Sequence, residues 1–201
     1  MKKIYHLLLP AILVISSCNN DKSKVTTTEK NDDGTVTKTE VDVKGLSSKA
    51  DEMTEKMEAL KTMKPLTIEE MRALLPETFD GVKQTNYNAS ATMGYTIVAV
   101  DYEKDSKNEL KVQLYDCAGE MGASFYASAF WTTMNFQQEN DEGYTKTVDF
   151  MNGKAIEAYK KDRNESTLTY VVGDRLMVIL EGKNMNPEEL KAAAQKLNIK
   201  V

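Results

Sequence analysis

TLTYVV-GD-RLMVILEG, residues 167–182, decides how this chain folds. Two runs rich in β-branched and long apolar side chains flank Gly173-Asp174, and glycine at the first central position predicts a type II′ hairpin. Downstream, KNM-NPEELKAAAQKLNIKV supplies a helix with its own start signals. Asn186 is the N-cap, Pro187 takes the first helical position and Glu189 completes a capping box. Met185 and Leu190 have the spacing of a hydrophobic staple. With Leu190, Ala193, Ala194 and Leu197 on one side, this helix has to lie on the sheet that the hairpin begins.

Working back toward the N-terminus, the period-two pattern recurs. Residues 95–103 (YTIVAVDYE) and 109–116 (ELKVQLYD) read as an antiparallel pair around a polar turn. Residues 144–150 and 154–159 read as another, joined across Asn152-Gly153. A strand between 82 and 89 is faint. Between the pairs, EMGASFYASAFWTTMNFQQ predicts a helix over 120–137 that is apolar nearly all round. Such a helix is either packed on several sides or displays an apolar patch, here Tyr126, Phe130 and Trp131, the candidate binding surface. Met53, Met57, Met63 and Met71 suit a lid over it. Thr67 and Glu70 form a capping box for a short helix that Pro76 stops. Leu46, Ala50, Met53, Met57 and Leu60 make one seam of a helix ending near Met63, with Ser48 and Asp51 as its starting box.

The first 17 residues are of another kind. A basic Met1-Lys2-Lys3 and an apolar run over 4–15 form a leader too short to span a bilayer as a stable anchor. It ends in Ile15-Ser16-Ser17-Cys18, which resembles the lipobox of bacterial lipoproteins. That resemblance implies diacylglycerol on the Cys18 thiol, palmitate-type acylation and cleavage that makes Cys18 the first residue. Asn19 after it points away from inner-membrane retention, toward the outer membrane of a Gram-negative envelope. Residues 18–45 are polar and read as a flexible tether, with a hairpin around Asp33-Gly34 as the alternative. The division expected is therefore leader 1–17, tether 18–45, amphipathic helix 46–63 and globular domain 64–201.

Composition narrows the function. Formal net charge is −5 with 26 basic and 31 acidic residues, and losing Lys2 and Lys3 with the leader makes it more negative, a poor match to nucleic acid. The single histidine, His6, leaves with the leader, which excludes imidazole-based catalysis and histidine metal sites. No phosphate-binding loop is present, and no metal or cofactor is implied. Cys117 is the one thiol left once Cys18 is blocked, and it reads as a small buried hydrophobe. Asp101, Glu103, Asp105 and Glu109 crowd one turn and Glu139, Asp141 and Glu142 another; both read as solvated acidic turns.

The element order from 64 to 201, closing in VVGDRLMVILEGKN and NPEEL, resembles the PsbP-like fold. The resemblance implies an α+β domain in which an antiparallel sheet of six or seven strands is flanked by helices as an α/β/α sandwich. It also implies a family made mainly of binding and assembly proteins. The expectation is a membrane-anchored, non-enzymatic binding or envelope-assembly module with a protein partner. The alternatives are a carboxylate-based hydrolase of cell-wall or sugar polymers and a carrier of an apolar ligand.

Overall fold

The structure is a computed structural model that describes residues 24–31, 34–92, 94–129 and 134–201. The leader, Cys18, Phe130 and Trp131 lie outside the described residues. The hairpin of the opening stretch is present: β11 (Glu165–Val172) pairs antiparallel with β12 (Leu176–Lys183). Gly173 and Asp174 both take positive φ, 58° and 56°, so the turn is type I′ and not II′. Type I′ matches the right-handed strand twist equally well.

Outward from that hairpin the sheet grows in both directions. On one side come β10 (Gly153–Lys160), β9 (Gly143–Phe150), β8 (Phe136–Asn140), β2 (Val36–Asp42) and β1 (Lys24–Lys30). On the other come β7 (Glu109–Asp116), β6 (Tyr95–Glu103) and β5 (Thr85–Thr92). All of these ladders are antiparallel, giving a ten-stranded sheet, and β3 (Thr78–Phe79) with β4 (Val82–Lys83) forms a separate two-stranded one. The helices are α1 (Leu46–Thr62), α2 (Ile68–Arg72), α3 (Glu120–Tyr126) and α4 (Pro187–Leu197).

The α/β/α sandwich with six or seven strands is thereby corrected. The domain is mostly sheet, and among the described residues its four helices are short. Three misreadings account for the difference. The helix expected over 120–137 stops at Tyr126, and Phe136 onward is β8, whose backbone pairs with β2 and β9. Apart from Phe136, the residues of β8 (FQQEN) do not favour strand, so strand pairing overrides local propensity. Much of the stretch read as a tether is the β1–β2 hairpin, joined to β8 from Lys38↔Glu139 to Val41↔Phe136. A lone hairpin is marginal in water, but here one strand completes a sheet edge. The faint strand is an eight-residue β5, exposed along nearly all its length.

Smaller readings shift too. The β9–β10 turn is Met151-Asn152, one residue earlier than Asn152-Gly153, because Gly153 pairs with Phe150. α1 begins without a side-chain cap on its first amide: Ser48 Oγ donates to the Gly45 carbonyl instead of forming a box. The capping boxes of α2 and α4 form as read.

Alternation divides the sheet into two faces. Val98, Val100, Val112, Leu114, Leu168, Val178 and Leu180 point to one face and are fully buried beneath α2 and α4, with Leu190 of α4 packed onto them. Burial of each such side chain stabilises the fold by about 1.5–3 kcal/mol. On the other face a smaller cluster joins Met53 and Leu60 of α1 and Ala123 and Tyr126 of α3 to Cys117 and Met177. Met53 and Met57 cover α3 as expected, whereas Met71 belongs to the first cluster and Met63 is exposed.

Candidate functional site

Strand direction brings five chain reversals to one end of the sheet, the β5–β6 turn at Gly94 among them. β7 ends there at Asp116, β9 at Phe150 and β11 at Val172, and β2 leads there into α1. α3 is held at this end by close backbone approach. Gly119 (φ +84°) donates its N–H to the Leu60 carbonyl, and a Cβ there would lie 2.2 Å from the Gly94 carbonyl oxygen. Only glycine fits. Phe125 then packs against Tyr95 and Tyr115, with ring centroids 5.1 and 6.1 Å away, which turns Tyr126 inward.

A buried ion pair fixes the same end. Arg175 donates from Nε to Asp116 Oδ1 (2.9 Å) and from Nη2 to Oδ2 (2.7 Å), a bidentate pair. The carboxylate also accepts from the Leu66 and Ala118 amides, and Arg175 Nη2 reaches the Lys64 carbonyl. This ties the β12 start, the β7 end and the segment entering α2 into one unit.

Between these elements lies a cleft of about 910 Å³. Tyr126, Phe150, Tyr170, Val171 and Ile199 supply its apolar lining, Asn152, Lys154, Gln195 and Lys200 line it with polar groups, and Lys56 and Asp174 stand at it as an ion pair of 2.7 Å. Its size falls in the range of small-molecule and peptide sites. The Asp174 hydrogen bond raises the Lys56 ammonium above its usual value, and burial raises the Tyr126 phenol. Lys56 and Asp174 are exposed, so this pair contributes little stability and is free to exchange partners. Tyr170 packs edge-on to Phe150 at 5.0 Å. Among the described residues its buried hydroxyl has no hydrogen-bond partner, and burial pushes that phenol well up.

Of the candidate patch, Tyr126 is therefore buried at the cleft and does not stand on the surface; Phe130 and Trp131 are outside the described residues. The acidic turns do not converge. Asp101 accepts from Asn86 Nδ2, and Asp105 caps its own turn by accepting from the Lys107 and Asn108 amides. Glu139 and Asp141 lie at β8, six strands from β6. At about 4.8 Å per strand the two groups are roughly 29 Å apart, far beyond the reach of a paired acid and base. Among the described residues no group of three or more His, Cys, Asp or Glu side chains is placed to share a metal ion.

One ionic cluster was missed in the sequence. Glu157 points into the core from β10, 2% exposed, and accepts from the Tyr144 hydroxyl at 2.8 Å. Lys146 Nζ lies 3.5 Å away, and Lys191 Nζ of α4 is at 3.2 Å, an ion-pair distance without hydrogen-bond alignment. Burial pushes the Glu157 carboxyl up, but the Tyr144 hydroxyl and the Lys191 ammonium outweigh it and hold the group below its usual range. The legible signal was alternation: in AIEAY, Glu157 occupies the inward register of Ala155.

Comparison with known proteins gives one distant likeness. Human Fas apoptotic inhibitory molecule 1 is 28% identical over 125 residues. The match covers 58% of this chain and 66% of that protein, so the chain spans just under two thirds of its relative's length. No family model and no solved structure matches. Among the described residues no helix is long and apolar enough to cross a membrane.

Proposed function

We propose that this chain is a lipid-anchored protein of the bacterial envelope, held at Cys18 in the outer membrane, whose sheet domain acts as a non-enzymatic binding or assembly module. The observation that carries the binding role is the cleft, where apolar side chains stand beside the polar Asn152, Lys154, Gln195 and Lys200 and one exchangeable ion pair, Lys56 with Asp174. These features recognise a ligand with an apolar body and a polar group, and they supply no nucleophile paired with a base. The partner is a protein segment of that character. Acylation at Cys18 rests on the Ile15-Ser16-Ser17-Cys18 layout after a short apolar leader.

The test is a photo-crosslinking residue placed at Lys154 beside the cleft, in intact cells of the native host. A discrete adduct that disappears when Tyr126→Ala or Asp174→Lys is combined with it supports the reading. Steady turnover of a cell-wall or sugar polymer by the purified, acylated chain overturns it in favour of hydrolysis.

The size and lining of the cleft favour a second reading, a carrier of an apolar ligand. Saturable change of Trp131 fluorescence on adding monomeric lipid, with no protein adduct in cells, selects that alternative.

A further inference from the structure

The Asn152-Gly153 pair that marks the hairpin in the sequence does not form its turn. The two turn residues are Met151 and Asn152, and Met151 is held at φ +50°, a conformation that long side chains rarely adopt. Gly153 is left as the first residue of β10, opposite Phe150 in the last rung of the ladder. Rungs at a strand end fray first, so opening a single pair frees the Gly153 amide.

Both residues are exposed and unencumbered. A Cβ built on Gly153 would meet nothing within 4 Å. Among the described residues the Asn152 side chain has no hydrogen-bond partner, whereas Asn86, Asn108, Asn140, Asn164, Asn184 and Asn186 are each held by hydrogen bonds. Asn152 is also the one asparagine of the chain that is followed by glycine. Every other asparagine precedes a side chain that crowds the next amide nitrogen or, at Asn186, a proline whose nitrogen has no proton to lose.

We infer that Asn152 is a self-modifying site at the rim of the cleft, where the Gly153 amide converts the asparagine carboxamide into a carboxylate without an enzyme. The Gly153 nitrogen gives up its proton to solvent hydroxide and attacks Asn152 Cγ. The new C–N bond closes a five-membered succinimide, the Cγ–Nδ2 bond breaks, and ammonia leaves after taking a proton back from water. Water then adds to either ring carbonyl and reopens it. Attack at the side-chain carbonyl leaves an aspartyl residue; attack at the backbone carbonyl leaves an isoaspartyl residue, with one more methylene in the main chain. In sum one amide and one water become one carboxylate and one ammonium ion, and nothing is oxidised or reduced.

Its place gives the reaction a consequence. Asn152 lines the cleft with Lys56, Lys154 and Asp174, so each event adds a negative charge there and removes a neutral hydrogen-bond donor. Lys56 already pairs with Asp174 and Lys154 with Asp149, and the new carboxylate competes for both ammonium groups. An aged chain therefore presents a more acidic cleft than a new one. The isoaspartyl form also lengthens the turn and loosens the rung between Phe150 and Gly153.

The test incubates the full chain, natively folded, in mildly alkaline buffer made with heavy-oxygen water, and follows it for days by isoelectric focusing and peptide mapping. The expected result is a gain of one acidic charge, first in the peptide holding Asn152, with one heavy oxygen taken up and isoaspartyl product in several-fold excess over aspartyl. The rate should rise with pH, since the attacking nitrogen must first lose its proton. Gly153→Ala, which the open space around Gly153 accommodates, should slow conversion roughly ten-fold or more. Conversion in urea with none in the native chain over the same time means that the hairpin blocks the attack, and it overturns the site. So does earlier conversion at any other asparagine, or an unchanged rate in Gly153→Ala. Each readout is independent of acylation at Cys18 and of any partner of the cleft.

Discussion

Replacing Arg175 by methionine tests whether the Asp116 latch shapes the cleft end. The Asp116 side chain is fully buried and Arg175 is 18% exposed. Methionine keeps most of the stem's packing but removes both charged hydrogen bonds, leaving the carboxylate with the Leu66 and Ala118 amides. Breaking one partner of a buried pair costs about 3–5 kcal/mol, and the partial exposure of Arg175 puts this case near the lower figure. For a domain of this size that is a fall in melting temperature of about 6–20 °C. Urea denaturation followed by circular dichroism measures it directly. Arg175→Met combined with Asp116→Leu removes both charges and should cost clearly less than the two single substitutions added together. The reasoning fails if Arg175→Met costs less than about 1 kcal/mol, or if the two substitutions are simply additive.

Three further outcomes are expected. Glu157 has a depressed carboxyl, so its stabilising contribution is complete above the ordinary carboxylate value and is lost as pH falls through the lower folded value; Glu157→Gln should flatten the decline in unfolding free energy between about pH 5 and pH 3, and an unchanged acid limb contradicts the assignment. Burial pushes the Cys117 thiol up to about 11, so iodoacetamide at about pH 8 should leave it unmodified in the native state and label it in urea; rapid native labelling, read by mass, would count against its placement. Leu114→Ala opens a cavity at a fully buried position between β6 and β12 and should cost about 2–5 kcal/mol in the same urea assay, whereas a cost near zero would mean that the first cluster is not the core.

Local chemistry alone determined several pieces of this protein. Asn186, Pro187 and Glu189 specify the start of α4 through amides two and three residues away. Strict alternation in residues 95–103 and 109–116 specifies β6, β7 and their buried face, because side-chain direction reverses at every residue. The absence of any histidine after His6 is likewise read directly from the sequence. None of these needs a distant partner.

The tertiary structure decided the rest. Phe136 to Asn140 has neither a clear period nor strong propensity, and the Val- and Thr-rich run from Val36 to Asp42 was legible only as an alternative hairpin; their pairing supplies partners for backbone groups about 100 residues apart in sequence. Pairing of that kind adds three strands to the expected sheet and shortens the aromatic helix, turning Tyr126 from a surface feature into the wall of a cleft. The cleft is likewise invisible in one dimension, since Lys56, Tyr126, Phe150, Tyr170 and Asp174 share no local pattern. They meet because antiparallel ladders send alternate turns to the same end, and strand order is fixed by which edges find one another, a property of the whole chain.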